Sequence, residues 1–472
     1  MLTDPRSLVS PPLFMAADIR AIERQWAEAH PDASLMERAG ACAAELALML
    51  ASETGEPILV LAGPGNNGGD ALVAARLLAA RGIPLMVVSR ADPARLPADA
   101  AHAWETWRQA GGRVHADIPT GQRFGLVIDG LFGVGLVRDV GGNEARWLEL
   151  ANALPCPRLA LDLPSGLDSD SGRIRGIALR ADHTLTYLAL RPGLLTADGP
   201  DCCGQLHLDS LGVDCAALAS PSGFALTRLE SRHTLPPRRN NSHKGDFGHV
   251  GIIGGAPGMV GAALIAGRAA LQQGAGSVTL GILDERIAVD YFQPRLMFGM
   301  PEALLQGHLD VLAIGPGMGL SARANNLLQQ ALALPCPLLL DADALNLLAA
   351  RPELAEQAAQ RSHPTLLTPH PGEAARLLGS RSADIQQDRI GSALQLSRQF
   401  SAQVALKGAG TVIASPAGRY ALNTTGGPWL AQAGSGDRLS GMVAALLGQG
   451  MPAEDALQAA VWLHGNAATD PD

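Results

Sequence analysis

Apolar residues recur at three- and four-residue spacing through Ala17–Trp26 and again from Ser34 onward, which predicts two helices across residues 16–52. The period then breaks. Pro57-Ile-Leu-Val-Leu-Ala62 is a short unbroken apolar run, as expected of a parallel strand covered on both faces. Gly63-Pro-Gly-Asn-Asn-Gly-Gly-Asp70 follows it as a loop, and helical spacing resumes at Ala71. Further strands are predicted at 84–89, 124–129 and 158–162, with helices between them and closing strands from Thr184 to Leu211. Strands alternating with helices define an open parallel sheet wound on both sides.

Periodicity fades over residues 216–242, and Leu235-Pro-Pro-Arg-Arg-Asn-Asn-Ser242 is dense in turn formers and bases. A boundary near 220–235 divides the chain into domains 1–225 and 226–472. The second opens with Lys244-Gly-Asp-Phe-Gly-His249, a strand at 250–254 and a helix containing Arg268. Strands are then expected at 277–281, 310–314, 337–341, 365–368 and, as one piece, 404–412. Near the end, Gly434-Ser-Gly-Asp437 leads into the apolar run Met442–Gly448, read as a helix. No period is shared between the halves, so two unlike domains are joined.

A chain of 472 residues suits two domains. A net charge of -9 argues against a nucleic-acid or acidic-membrane partner. The six cysteines lack metal-ligand spacing, and no signal-peptide pattern opens the chain, so a reducing cytoplasm is expected. No apolar run approaches the ~20 residues of a membrane span.

Ligands of wound sheets bind beyond the carboxyl ends of the strands. Three such ends in the first half carry chemistry: the 63–70 segment, Asp129-Gly-Leu-Phe-Gly-Val-Gly135, and Asp162-Leu-Pro-Ser-Gly-Leu-Asp168. Asn67, Asp129 and Ser165 offer hard oxygens suited to a cation of low geometric demand. Asp162 is then free to act as acid or base. The same residue types also cap helices and turns. In the second half, Lys407 beside two glycines suits a phosphate. The glycines at 434 and 436 suit a helix N-terminus that receives anionic oxygens.

The three N-terminal motifs closely resemble the NAD(P)HX epimerase family of YjeF N-terminal type, with a Rossmann-like fold. The resemblance implies a substrate site lined by Asn66, Asn67, Gly68, Gly69, Asp70, by Gly133, Val134, Gly135, Leu136, Val137, Arg138, Asp139, and by Asp162 as the catalytic acid or base. It also implies potassium on Asn67, Asp129 and Ser165. Ala71 departs from the family's usual glycine.

Lys244-Gly-Asp-Phe-Gly-His, Gly315-Pro-Gly-Met-Gly, Asp341-Ala-Asp-Ala-Leu-Asn, Thr368-Pro-His-Pro-Gly-Glu, Leu406-Lys-Gly and Gly434-Ser-Gly-Asp resemble the ADP-dependent NAD(P)H-hydrate dehydratases. That family is ribokinase-like. The resemblance implies substrate contacts from Ala262, Gly317, His370 and Asp437, with Asp437 as general base. It places the nucleotide on Lys407, Gly408, Ala409, Gly410, Thr411 and Gly436, with magnesium on its phosphates. Gly427-Pro-Trp-Leu-Ala and Ser435, where threonine is frequent, depart from the usual pattern. NADHX, NADPHX and ADP are the implied small-molecule partners of a homo-oligomer. The alternatives are a ribokinase-like small-molecule kinase with a regulatory nucleotide-binding domain, and an NAD(P)-dependent oxidoreductase reading a 2′-phosphate with Ser89-Arg90. A non-enzymatic scaffold would not need Asp162, Lys407 and Asp437 together.

Overall fold

An unbroken apolar strand has to be covered on both faces, and Ile58–Ala62 (β1) is buried at every position. Residues 2–51 and 55–467 are described in a computed structural model, which divides into the units Met1–Phe224 and Ala225–Asp472. The other sheet strands of the first unit are Leu85–Val88 (β2), Val114–His115 (β3), Leu126–Gly130 (β4), Arg158–Leu161 (β5), His183–Tyr187 (β6) and Gln205–Asp209 (β7). They lie in the order β3-β2-β1-β4-β5-β6-β7. Every neighbouring pair is parallel. The side chains alternate between two cores. Ile58, Val60, Leu126, Ile128, Leu159 and Leu161 pack with Ile19, Ala43 and Leu72 of helices Ala16–Ala29, Leu35–Leu50 and Asn66–Ala80. Leu59, Leu61, Val127 and Ala160 pack with Trp147 and Leu148 of helix Gly142–Ala153. This is the Rossmann-like, doubly wound arrangement, with its switch point between β1 and β4.

One expectation about this unit is overturned. The helix after β1 begins at Asn66, not at Ala71. Gly68 and Gly69 therefore serve close packing within a helix, not a loop. A Cβ on Gly68 would lie 2.0 Å from the Gly63 carbonyl oxygen, and one on Gly69 would lie 2.5 Å from Met36 Cε. The Ala71 methyl is fully buried against Gly130, where a Cβ would approach it to 2.5 Å. The short edge strand β3 was not anticipated.

In the second unit, the sheet includes among its described strands His249–Gly254 (β8), Ser277–Ile282 (β9), Met297–Gly299 (β10), Val311–Ile314 (β11), Leu338–Leu340 (β12), Thr365–Leu367 (β13), Gln403–Leu406 (β14), Val412–Ala414 (β15) and Tyr420–Asn423 (β16). They run in the order β10-β9-β8-β11-β12-β13-β14-β15-β16. The segment 404–412, expected as one strand, is a hairpin. β14 and β15 pair antiparallel with Leu406 opposite Val412, and β16 continues antiparallel. Gly408 at φ +141 and Gly410 at φ +61 supply the turn between them. Helices Val260–Gln272 and Ser435–Gly448 cross so closely that a Cβ on Gly441 would lie 2.0 Å from the Ala266 carbonyl oxygen. Among the described residues, no helix is long and apolar enough to cross a membrane.

The loop after β1 rests directly on the loop after β4, since a Cβ on Gly63 would sit 1.8 Å from the Leu131 carbonyl oxygen. Backbone cannot move aside cheaply. Gly63→Ala is expected to destabilise the first unit by about 1–3 kcal/mol or more, read as a lowered midpoint in denaturant unfolding of the full chain.

Candidate functional sites

Asp162 is the residue directly after β5, and its φ of +63 is rare for a residue with a side chain. Such strain, of about 1–3 kcal/mol, persists only where the surroundings enforce it. Here the Asp162 N–H donates to the Leu185 carbonyl oxygen at 2.7 Å. On the side chain, Oδ1 pairs with the Arg191 guanidinium and Oδ2 accepts the Val134 N–H at 3.2 Å. Arg191 is fully buried. Its Nη1 donates to the carbonyls of Tyr187 (2.8 Å) and Ala189 (3.0 Å), and its Nη2 to that of Asp162 (3.0 Å). Sequence reasoning passed over Arg191; the available signal was a lone charge within Tyr187-Leu-Ala-Leu-Arg-Pro-Gly-Leu-Leu195.

Two further carboxyls feel the Asp162 charge. Burial, then the charges of Asp162 and Glu23, push the Asp70 carboxyl well above the carboxylate range. Glu23, also missed in the sequence, is pushed up to about 7 by burial and the Asp162 charge, against Arg191 and Arg20. The 133–139 segment contributes at its start. A Cβ on Gly133 would lie 2.7 Å from Asp162 Oδ2, and Val134 supplies the N–H described above. Gly135, Val137, Arg138 and Asp139 are exposed, and Leu136 is partly so. Asn66 is exposed at the helix start.

Asp129, fully buried at β4, is bound by Ser165: the Ser165 N–H to Oδ2 at 2.8 Å and its hydroxyl to Oδ1 at 2.7 Å. Burial raises its carboxyl to about 6, with Ser165 and the Leu131 N–H opposing. Ser165 Oγ also accepts the Phe132 N–H at 2.8 Å. The Asn67 Cγ lies 3.5 Å from where a Gly133 Cβ would be, the spot that Asp162 Oδ2 also faces. Both ends of the Asn67 amide are buried and lack a hydrogen-bond partner. A buried amide oxygen in that state fits a bound cation or ligand group. No cluster of three or more His, Cys, Asp or Glu able to hold a metal occurs among the described residues.

In the second unit, Asp437 lies in the first turn of helix Ser435–Gly448. Burial and the charge of Asp341 raise its carboxyl to about 6; Lys407 opposes and Asp343 adds. Lys407 Nζ pairs with Asp341 Oδ1 at 2.9 Å and lies 3.2 Å from where a Gly436 Cβ would be. Asp341 Oδ2 accepts the Ser440 hydroxyl at 2.7 Å. Burial alone would pull the lysine down; Asp341 and Glu373 outweigh it and hold it above its ordinary value. Lys407 is therefore already an ion-pair partner of Asp341. Ala342, next to Asp341, is a second left-handed residue at φ +50.

Gly317 faces Ala262, whose Cβ would be 3.2 Å from a Cβ at 317, and Ile265 packs on Gly434. His370 caps helix Pro371–Leu378. Its Nδ1 accepts the Gly372 N–H at 2.9 Å, and burial with Lys407 and Arg376 lowers its pKa. Lys407 donates its N–H to the Pro369 carbonyl oxygen at 2.9 Å, so the His370 turn and the Lys407–Thr411 turn adjoin. Beneath the latter, buried Arg389 donates to the carbonyls of Leu406 (3.3 Å) and Lys407 (3.4 Å). Of the amides expected to face phosphate, that of Ser435 donates to the Gln432 carbonyl oxygen at 3.3 Å.

Two unlike sheets, the first wholly parallel and the second mixed, each with a carboxylate and glycine turns at its strand ends, fit a two-domain enzyme combining Rossmann-like and ribokinase-like α/β units. Residues 32–193 match the family described as YjeF-related protein N-terminus, and residues 250–471 match NAD(P)H-hydrate dehydratase. The bifunctional NAD(P)H-hydrate repair enzyme of Escherichia coli K12 is 40% identical over 97% of this chain and 89% of its own length. That of Vibrio cholerae is 37% identical over 92% and 88%. The ADP/ATP-dependent NAD(P)H-hydrate dehydratase of Bacillus subtilis, solved with ATP/Mg2+, is 33% identical, with a TM-score of 0.44 over 50% of this chain and 84% of that one. The chain belongs to the bifunctional NAD(P)H-hydrate repair enzymes.

Removing Arg191 would strand a buried carboxylate and three carbonyls. Arg191→Met is expected to cost about 3–5 kcal/mol of stability, measured by urea unfolding at neutral pH.

Proposed function

We propose that this chain restores hydrated NADH and NADPH in two steps, one per unit. The first unit interconverts the R and S hydrates at the carbon beside the ring nitrogen. The nitrogen lone pair loosens the C–O bond, and Asp162 handles the proton lost or gained at oxygen. The second unit takes the S hydrate and removes water with ADP, giving NAD(P)H, AMP and phosphate. Hydroxide leaves poorly, so Asp437 accepts the proton of the ring hydroxyl as that oxygen attacks the terminal phosphoryl group. Lys407 and the amide of Gly436 steady the charge on the transferred oxygens. The Lys407–Thr411 turn holds the nucleotide, which arrives with magnesium on its phosphates. Ala262, Gly317 and His370 wall the hydrated ring. The observation that carries this reading is the placement of Asp437 on a helix's first turn, within the field of Lys407 and Asp341.

A kinase would use the same Gly-Ser-Gly-Asp turn but leave a stable phosphorylated product, and the repair-enzyme relatives do not favour it. Arg90, which an oxidoreductase would need for a 2′-phosphate, donates Nε to the Ala116 carbonyl oxygen at 2.9 Å. Assembly as a homo-oligomer in the cytoplasm completes the proposal. The six cysteines, all free of disulfides, suit that compartment, and sedimentation reads the assembly.

Potassium in the first unit would be held by Asn67, Asp129 and Ser165, where it supplies a fixed positive charge beside the buried Asp129 carboxylate. The orphaned Asn67 amide supports this. Potassium chloride is then expected to raise the melting temperature more than lithium chloride at equal ionic strength. Asn67→Ala should erase the difference; an equal effect of both salts on the unaltered protein would exclude the site.

The division of labour is tested with mixed epimers, with and without ADP, by following the return of reduced-ring absorbance. Asp437→Ala is expected to lower dehydration by about 10²–10⁴-fold and to spare epimer exchange. Asp162→Ala should do the reverse, so that dehydration stalls once the S form is consumed. Because the base must be ionised, dehydration by the unaltered protein should fall as pH drops through about 6. Loss of both activities from either single change, with the fold intact, would contradict the assignment.

A further inference from the structure

Each Asp162 oxygen already accepts an N–H bond, Oδ1 from Arg191 and Oδ2 from Val134. Such a carboxylate presents lone pairs, and inversion also needs a group that presents a proton to the departing oxygen. The first helix places one there. Arg20 reaches the Val134 carbonyl oxygen at 3.5 Å, so this face of helix Ala16–Ala29 covers the loop that binds Asp162. Glu23 lies one turn further along the same face, partly buried, and interacts with Asp162 and Arg191. Asp70 completes the cluster. Asp162 and Glu23 thus share one fully buried guanidinium with Asp70 beside them, and like charges so confined cannot all ionise.

We propose that Glu23 is a second catalytic residue of the epimerase site, the general acid that protonates the departing hydroxyl. This rests on the epimerase reading of the first unit. The Glu23 proton passes to the hydroxyl oxygen, the C–O bond breaks, and water leaves as the ring-nitrogen lone pair moves into a C=N bond. Water then adds to the opposite face and gives a proton to Asp162, while the C=N electrons return to nitrogen. Return of that proton from Asp162 to Glu23 restores the site. Atoms and charge balance, with no other reactant.

The groups facing Glu23 are Asp162, Arg191 and Asp70, Arg20 on its own helix, and the Cys215 thiol. The raised Glu23 carboxyl, near 7, sets the sign: exchange requires the protonated form and is lost as pH rises through that value. The experiment supplies the full chain with the pure R hydrate, without ADP, and follows S hydrate by chromatography across pH. Glu23→Gln is expected to slow exchange at least ~100-fold while ADP-driven dehydration of S hydrate reports an intact chain. Glu23→Asp, which keeps a carboxyl, should retain exchange with the alkaline limb displaced. A Glu23→Gln protein with normal exchange and an unchanged limb overturns the proposal. So does a loss that is equal at every pH with the limb unmoved in Glu23→Asp, the signature of a structural role. If Glu23→Gln fails to fold, the position of the Glu23→Asp limb decides alone. No exchange by the unaltered protein would instead reject the epimerase reading itself.

Discussion

A carboxylate carried below the surface needs a cation or a proton, because burial in low dielectric penalises the bare charge. Both sites are built around that requirement. In the first unit Asp162 receives Arg191, and in the second Asp341 receives Lys407. Each pair ties the end of one strand to the end of another: β5 to the segment after β6, and β12 to the turn after β14. Two of the residues with a side chain and a positive φ fall at the same places. Asp162 is itself left-handed, and Ala342 follows Asp341 directly. The chain leaves a strand and turns a side chain into the site within one residue, and the ion pair holds the turn.

The interior strands were legible because burial on both faces removes the need for polar positions, leaving runs such as Ile58–Ala62. Helices Ala16–Ala29 and Leu35–Leu50 were legible from their one-sided apolar spacing. Elsewhere the local signal misled. Asn66-Asn67-Gly68-Gly69-Asp70 reads as a loop because glycine disfavours helix, yet contacts with Gly63 and Met36 demand residues without side chains there. Val404–Val412 reads as one strand because its apolar ends mask a two-glycine turn. Arg191 and Glu23 went unnoticed for another reason. Their meaning lies in Asp162, which only the tertiary fold brings beside them.

The turn at 407–411 has an electrostatic setting that the sequence alone does not show. Lys407 stands beside Gly436 and Asp437, but Asp341 has already claimed its charge. Asp341, Glu373 and Asp437 all act on Lys407, so much of its charge is answered before any phosphate enters. A polyphosphate arriving bare would be repelled, whereas one whose charge is largely neutralised by a divalent ion would not. The lysine then orients more than it attracts.

Burial raises a carboxyl in each unit, an aspartate in one and a glutamate in the other. Asp437 is raised to about 6, so near neutral pH it is mostly ionised and can accept a proton. Glu23 is raised to about 7 and retains its proton in a substantial fraction of molecules. Both are raised first by burial, and a glutamate starts from the higher ordinary value. Asp437 feels the Lys407 ammonium, which offsets part of the repulsion from Asp341 and Asp343. Glu23 feels Arg191 and Arg20 against the charge of Asp162. Separated carboxyl pKa values are what let a carboxyl serve as base in one pocket and acid in another.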